Sequence, residues 1–303
     1  MKFSTIGWTG LAVAAASLLR GARAEGALNF CLGVKHADGS CKYTDDYLAD
    51  FEALAPYSSV VRTYSTSDCN TLQYLMPALA QSSHNFQAII GVWPTDDSHY
   101  ALEKSALIQY LQQYGTDHVK GVTVGSEVLY RGDLTASELA NRMNEVRQLL
   151  KDNGFNLPVG TADSWNLWVD GGSDPVIDAS DFFMSNAFSY WQGQDTSNMT
   201  NSFLDDTMQA MGRIQARKGT SDISFYVGET GWPTGGPSYG SAVASTDVAA
   251  KFYKEALCGI RSWGVDIFYF EAFDEPWKGT DSGVEPYFGA MDSNRNLKFD
   301  LSC

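Results

Sequence analysis

A repeated alternation between apolar segments and helix-like segments constrains the fold of this chain more than any other feature. Eight short runs rich in apolar and β-branched residues are separated by longer amphipathic stretches. The runs cover residues 28–34, 59–64, 86–92, 120–125, 158–161, 181–186, 223–228 and 265–270. Such runs are typical of strands that are buried on both faces of a parallel sheet. Eight strand–helix units in about 280 residues predict an α/β fold with a single closed (β/α)₈ barrel, in preference to an open sheet.

The stretches between the runs carry helix signals. Thr135 and Glu138 have the spacing of a capping box, and apolar residues then recur at helical spacing up to Leu150. Gly154 is the expected end of that helix. Residues 33–36, after the first run, lack the second and third glycines of a dinucleotide-binding loop, so a nucleotide-binding sheet is disfavoured.

The first 24 residues have the pattern of a secretory signal. Lys2 supplies a positive start, an apolar run covers residues 6–19, and residues 22–24 form a small-x-small cleavage pattern. The apolar run is shorter than the roughly 20 residues that a membrane span needs, and no second run of that length follows. We therefore predict a signal segment over 1–24, a barrel domain over 25–303, and a secreted protein without a membrane anchor.

Five cysteines follow the signal segment, and secretion would expose them to an oxidising compartment. An odd number leaves one thiol unpaired. We expect Cys41 to pair with Cys69, and Cys258 to pair with Cys303. Cys31 lies inside the first apolar run, and we expect it to be a free, buried thiol.

The charge balance excludes several classes of partner. The chain has 36 acidic and 21 basic residues, which give a formal net charge of −15, and this argues against nucleic acid and anionic membrane surfaces. Its four histidines are scattered and form no metal-spaced pair, so we expect neither a metal nor another cofactor. We also expect a monomer. Asn198 begins a glycosylation sequon in a polar stretch, which we expect at the surface.

Two glutamates follow apolar runs at equivalent places. Glu127 comes after the fourth run and Glu229 after the seventh, each beyond a Val-Gly step. In a (β/α)₈ barrel the active site lies at the C-terminal strand ends, and strands four and seven face each other across the lumen. Facing carboxylates are the groups that hydrolyse glycosides, one as proton donor and the other as nucleophile. The alternative is a pair of structural glutamates held in salt bridges.

Tryptophans recur at the same predicted edge of the barrel. Aromatic residues make up 13% of the chain. Their flat faces pack against the apolar C–H faces of sugar rings. A single tryptophan is more commonly part of a core, but five near one edge favour a sugar-binding cleft. They are Trp93, Trp165, Trp191, Trp232 and Trp277.

The motifs around both glutamates resemble those of glycoside hydrolase family 17. The motifs are 124–131 (VGSEVLYR) and 227–233 (VGETGWP). Segments 91–100, 186–191 and 270–278 resemble the fungal cell-wall branch of that family, which is described as endo-β-1,3-glucanase or β-1,3-glucanosyltransferase. The likeness runs from residue 28 to residue 303. It implies a TIM barrel and a retaining mechanism.

The resemblance also implies roles for individual residues. Glu127 would be the acid/base and Glu229 the nucleophile. Arg62, at the end of the second run, could steady a carboxylate. Ser126 stands where plant members carry asparagine, and Cys31 stands where we would expect asparagine in the fungal branch. Together with the strand-end aromatic residues, the predicted substrate-binding set is Arg62, Trp93, Tyr130, Trp165, Asn186, Tyr190, Trp191, Trp232, Glu271 and Lys278.

These features predict a secreted retaining enzyme of the fungal cell wall that acts on β-1,3-glucan. Retention requires carboxyl groups about 5–5.5 Å apart. The sequence leaves open the balance between hydrolysis and glucanosyl transfer. Two alternatives also stay open: a non-catalytic glucan-binding wall protein on the same barrel, and a retaining barrel enzyme for another β-glycan such as cellulose or mannan.

Overall fold

The fold was derived from a computed structural model, which describes residues 24–279, 281 and 283–303. The predicted signal segment over 1–24 therefore lies outside the described residues, apart from its last position. Its boundary with the barrel domain stays a prediction.

Eight parallel strands close into a barrel in the order of the chain, so the prediction of a single (β/α)₈ barrel is confirmed. The first strand pairs in parallel with both the second and the eighth, which closes the ring. Each strand overlaps one of the eight apolar runs. The strands are β1 (Leu28–Cys31), β2 (Val60–Arg62), β3 (Gln87–Val92), β4 (Val119–Ser126), β5 (Val159–Ser164), β6 (Phe182–Asn186), β7 (Ser224–Thr230) and β8 (Asp266–Tyr269).

Helices cover the outside of the barrel. Their bounds are α1 (Thr44–Leu54), α2 (Thr71–Gln81), α3 (Asp97–Tyr114), α4 (Ala136–Asp152), α5 (Trp165–Val169), α6 (Asp174–Ala179), α7 (Met199–Lys218), α8 (Thr246–Phe252) and α9 (Cys258–Ser262). A π-helical turn, Tyr253–Leu257, joins the last two. Helix α4 begins at the predicted capping box of Thr135 and Glu138, and Gly154 follows its end with φ of +81°.

Apolar side chains fill two layers. The larger layer packs between the strands and the helices, as the continuous apolar runs require. A smaller cluster fills the barrel interior and consists of Cys31, Val60, Ile89, Ala162, Phe182, Met184 and Phe268. The interior is therefore a packed core, and the space for chemistry lies above it, at the C-terminal strand ends.

Both predicted disulfides are present. Cys41 is bonded to Cys69, and Cys258 is bonded to Cys303 near the end of the chain. Cys31 is free and buried, as predicted. Among the described residues, none of the helices has the length and apolar character needed to cross a membrane.

Candidate active site

A cavity opens at the C-terminal ends of β4 to β8 and brings both predicted carboxylates together. Its volume is about 620 Å³. Glu127 and Glu229 therefore lie on the wall of one cavity. The cavity is lined by Glu127, Tyr130, Ser164, Trp165, Asn166, Asn186, Phe188, Trp191, Gln192, Glu229, Phe270 and Glu285.

Glu229 lies within β7 and is held by an ion pair. Nη1 of Arg62 donates to its Oε1 at 2.9 Å and also to the carbonyl oxygen of Gly228 at 2.9 Å. The hydroxyl of Ser126 accepts a hydrogen bond from Nη2 of Arg62 at 2.9 Å and donates to Oε1 of Glu229 at 3.2 Å. Arg62 is fully buried. Burial has the largest single effect on its pKa and lowers it, but Glu229 and other nearby groups together raise the pKa above its ordinary value, so the guanidinium stays charged. One carboxylate of the cavity is thus fixed by a permanent cation.

Glu127 has a different environment. Its Oε1 accepts a hydrogen bond from the neutral amide Nδ2 of Asn186 at 3.0 Å. Burial, and after it the negative charge of Glu229, raise the pKa of Glu127 to about 7. A carboxyl group with a pKa near neutrality can hold a proton and release it to a departing oxygen. The two glutamates therefore have the contrasting environments that an acid and a nucleophile need.

A lysine surrounded by three carboxylates lies next to the cavity. Nζ of Lys278 lies 2.8 Å from Glu271, 3.0 Å from Glu275 and 4.0 Å from Glu285. Burial raises the pKa of Glu271 well above its ordinary value, and Glu275 adds to this shift. Burial lowers the pKa of Lys278, but Glu271 and Glu275 raise it by more. Of these four groups only Glu285 lines the cavity.

Four of the predicted substrate-binding residues line the cavity: Tyr130, Trp165, Asn186 and Trp191. Tyr130 and Trp191 are exposed, at 59% and 39%, so their rings are accessible to a ligand. Asn186 is buried and reaches Glu127, as described above. These positions agree with a sugar-binding role.

Three residues of the predicted substrate-binding set are buried and do not line the cavity. Arg62 reaches Glu229 and not the cavity surface, so it steadies a carboxylate. The Trp232 ring packs against Tyr190 at 5.3 Å between centroids and donates its Nε1 proton to the carbonyl of Val243 at 2.9 Å. The Tyr190 hydroxyl donates to the carbonyl of Pro237 at 2.6 Å. Both rings hold the loop after β7 against the barrel and are closed to a ligand.

Four further predicted residues lie at the same edge of the barrel but not on the cavity wall. Trp93 is half-buried beneath the guanidinium of Arg131, at 5.0 Å. Trp277 is partly exposed and carries the ammonium of Lys35 over its ring at 4.3 Å. Glu271 and Lys278 pair with each other, as described above. All five tryptophans follow strand ends in the chain, as expected, but of these five only Trp165 and Trp191 line the cavity.

Six lining residues were absent from the predicted set. Four of them flank predicted positions: Ser164 and Asn166 border Trp165, Gln192 follows Trp191, and Phe270 precedes Glu271. Phe188 lies within the motif 186–191. Glu285 had no local signal, because it lies in a 3-10 turn (Glu285–Tyr287) well beyond the last strand. Only the tertiary fold brings this carboxylate to the cavity.

One group of side chains has the composition of a metal site. Asp68, His99 and Glu103 have donor atoms within 4.8 Å of one another. The carboxylate of Glu103 is buried and already accepts five hydrogen bonds, from Ser65, Thr66, Trp93 and, twice, Ser67. Such a saturated carboxylate has little capacity left for an ion, and the group serves to connect the loop after β2 to α3.

Most of the chain matches a known family of glycoside hydrolases. The sequence model of the BtgE/BtgC glycoside hydrolase domain matches residues 29–289. The chain belongs to this family. It is 67% identical over 289 residues to a glucan 1,3-beta-glucosidase of Schizosaccharomyces pombe, covering 95% of this chain and 90% of the relative.

Solved structures of the same type support this assignment. The crystal structure of a glycoside hydrolase family 17 beta-1,3-glucanosyltransferase from Rhizomucor miehei superposes with a TM-score of 0.79 at 32% identity, over 91% of this chain and 97% of the other. An active-site mutant of that transferase in complex with laminaritriose has the same TM-score and identity, over 91% and 98% of the two chains. The family resemblance inferred from the two glutamate motifs is confirmed.

Proposed function

We propose that this member of the family is a secreted retaining enzyme that cleaves β-1,3-glucan and transfers the product to water or to a second glucan. The observation that carries the proposal is the pair of glutamates in one cavity, of which Glu229 is bound by a buried arginine and Glu127 has a pKa of about 7. The substrate is proposed from the names of the relatives, a glucan 1,3-beta-glucosidase and a transferase solved with laminaritriose.

In the first step, an oxygen of Glu229 attacks the anomeric carbon of the sugar in the cavity. The bond between that carbon and the glycosidic oxygen breaks, and the departing oxygen takes the proton of Glu127. The products are a covalent glycosyl ester on Glu229, a released sugar chain with a free hydroxyl, and Glu127 as a carboxylate. Arg62 and Ser126 orient the attacking carboxylate through their hydrogen bonds to its Oε1.

In the second step, the Glu127 carboxylate removes a proton from an incoming hydroxyl. The oxygen of that hydroxyl attacks the anomeric carbon and displaces Glu229, so the configuration at the anomeric carbon is retained over the two inversions. Water as the incoming group gives hydrolysis, whereas a glucan hydroxyl gives transfer. The site is then restored with its proton on Glu127.

The cavity walls suit a chain of neutral sugars. Trp165, Trp191 and Tyr130 provide aromatic surface, and Asn166 and Gln192 provide amides for hydroxyl groups. A second cavity of about 740 Å³ shares Trp165 and Gln192 with the first and is otherwise lined by amide, acidic and apolar side chains, most of them from α7. A neighbouring cavity of this kind supports a polymeric substrate.

The remaining predictions belong to the same proposal. The two disulfides support an oxidising, extracellular location, and we propose the fungal cell wall as the place of action. We also propose removal of residues 1–24, a barrel domain over 25–303, and a monomeric enzyme without metal or cofactor. Asn198 is exposed immediately before α7 and is open to glycosylation.

The decisive experiment compares Glu229→Gln with wild type on laminari-oligosaccharides. We expect turnover to fall by at least about 10⁴-fold, because the covalent step is lost. Glu255→Gln makes the same chemical change on the exposed surface of the π-helical turn and should leave activity intact. Undiminished turnover by Glu229→Gln would refute the mechanism.

Three further observations separate the alternatives. Binding of glucan without release of reducing ends would favour a non-catalytic wall protein. Faster turnover of cellulose or mannan oligosaccharides would favour another β-glycan. Chain-lengthened or branched products at high oligosaccharide concentration would identify the transferase, and NMR of the first-formed anomer tests retention directly.

A further inference from the structure

The turn that carries Glu127 has a backbone conformation that needs external support. Glu127 has φ of +54°, in the left-handed region that non-glycine residues rarely adopt, and Gly125, two residues earlier, has φ of +84°. Such a conformation costs of the order of 1 kcal/mol or more and persists only where surrounding contacts hold it. The support for this turn therefore decides where the Glu127 carboxyl points.

Most of that support comes from the end of the neighbouring strand, β5. The backbone N–H of Glu127 donates to the carbonyl of Ala162 at 2.9 Å. The side chain of Asp163, the next residue, accepts the N–H of Leu129 at 2.9 Å and the N–H of Tyr130 at 3.2 Å. Asp163 also accepts the N–H of Ser164 at 2.9 Å. One carboxylate thus binds two amides of the turn and one amide of its own strand.

Asp163 has no route to the substrate. Its side chain is fully buried. Burial raises its pKa to about 6, against the opposing effect of its three backbone hydrogen bonds. The charged groups that act on it include Arg131, while Asp163 in turn raises the pKa of Glu127. Arg131 is itself engaged with Asp133 and with the carbonyl of Ser126. A buried carboxylate with these contacts is costly to retain without a role.

We propose that Asp163 is a positioning residue for proton transfer: its carboxylate fixes the strained turn so that Glu127 faces the departing oxygen and Tyr130 faces the cavity. The proposal rests on the function proposed above. A carboxylate is required because it can accept all three N–H groups, whereas an amide would turn its own NH₂ group toward one of those donors. Asp163 acts through Glu127 and does not itself exchange a proton with the substrate.

The test compares Asp163→Asn with wild type on two substrates. Laminari-oligosaccharides need a proton on the leaving oxygen, but a 2,4-dinitrophenyl β-laminaribioside does not, because dinitrophenolate leaves as a stable anion. Misplacement of a catalytic group by about 1 Å costs about 100-fold. We therefore expect kcat/KM to fall about 30- to 100-fold on the oligosaccharide, and less than about threefold on the aryl substrate.

Equal losses on both substrates would mean general damage to the fold, and no loss on either would remove the role; each result overturns the proposal. Asp266→Asn is the matched control, because Asp266 also binds a backbone amide, that of Ala27 at 2.8 Å, but at the first residue of β8 and therefore at the opposite end of the barrel. Asp163→Glu is the second variant if Asp163→Asn does not fold. It keeps the charge, displaces the turn and should give the same substrate-dependent loss.

A measurement without substrate separates this proposal from the function on which it rests. Carboxyl NMR titration should give a lower pKa for Glu127 in Asp163→Asn than in wild type, because a neighbouring negative charge is removed. An unchanged pKa would overturn the inference even if the wild-type enzyme is active. A wild-type protein inactive on every β-1,3-glucan would overturn the proposed function, while the pKa comparison would still decide the placement of Asp163.

Discussion

Replacement of Glu127 with glutamine should make the protein more stable at pH 8 while leaving its stability at pH 4 nearly unchanged. Burial and the charge of Glu229 raise the pKa of Glu127 from 4.5 to about 7. A carboxyl whose pKa is higher in the folded state stabilises the fold when it is protonated. This contribution is fully present below about pH 4.5 and is lost as the pH rises through 7. Glutamine cannot ionise, so the variant does not suffer that loss.

The size of the effect follows from the same two pKa values. Each pKa unit corresponds to about 1.4 kcal/mol, so wild type should lose about 3 kcal/mol relative to Glu127→Gln between pH 4 and pH 8. For a chain of this size that corresponds to on the order of 5–10 °C in Tm. The glutamine oxygen can still accept the amide of Asn186, so the existing hydrogen bond adds no pH-independent cost.

Thermal or urea unfolding of both proteins at several pH values between 4 and 8 measures the difference. Glu138→Gln is the matched control. Glu138 is fully exposed. Its carboxylate accepts hydrogen bonds from the hydroxyl and from the backbone N–H of Thr135, and these lower its pKa, the hydroxyl having the larger effect. Its contribution to stability is therefore present above the ordinary carboxyl pKa and is lost as the pH falls, so its variant should lose stability only at higher pH. A difference between Glu127→Gln and wild type that is the same at pH 4 and pH 8 would refute the reasoning.

Three further predictions concern the same site. The kcat/KM for laminari-oligosaccharides should fall above about pH 7, because Glu127 loses its proton there, whereas the kcat/KM for a dinitrophenyl substrate should not fall. The same fall for both substrates would exclude Glu127 as the proton donor. Arg62→Met leaves Glu229 as a buried charge without its cation, which should lower the free energy of unfolding by about 3–5 kcal/mol in urea titrations; a loss below about 1 kcal/mol would show that the pair is dispensable. Trp191→Ala should raise KM for oligosaccharides with little change in Tm, because the Trp191 ring is exposed on the cavity wall, whereas Trp232→Ala should lower the free energy of unfolding by about 3–5 kcal/mol, because the Trp232 ring is buried. A large loss of stability in Trp191→Ala together with an unchanged stability in Trp232→Ala would contradict these placements.

The parts of the fold that could be predicted from sequence depend on local patterns. Strands covered by helices must be apolar on both faces. Each of the eight strands therefore appears in the sequence as a continuous apolar run, and the position of the strand could be predicted to within a few residues. The convergence of Glu127 and Glu229 followed from topology alone, because the C-terminal ends of parallel strands meet on one face of a barrel. Arg62 was expected to be a carboxylate partner from the family resemblance and its place in the second run, and it pairs with Glu229.

The differences between the predicted residue set and the observed cavity lining come from long-range packing, which leaves no local pattern in the sequence. Tyr190 and Trp232 were expected at the substrate because they follow strand ends, but the loop after β7 folds over both rings. Whether an aromatic ring faces a ligand or a loop depends on residues such as Pro237 and Val243. Glu285 is the converse case, since it follows no strand and reaches the cavity only because the chain after β8 returns across the top of the barrel.

The roles proposed for the two glutamates agree with the order of charges around the barrel. Glu229 on β7 shares a hydrogen-bond network with Arg62 from β2 and Ser126 from β4, and its carboxylate is the anionic partner of the fully buried guanidinium. Glu127 receives only a neutral amide from β6, and a further negative charge, Asp163, lies at the end of β5. Exchange of the two roles would place the proton on the carboxyl group next to the Arg62 cation and the negative charge on Glu127, next to Asp163. Because both arrangements are electrostatically unfavourable, the fold itself directs the proton to Glu127.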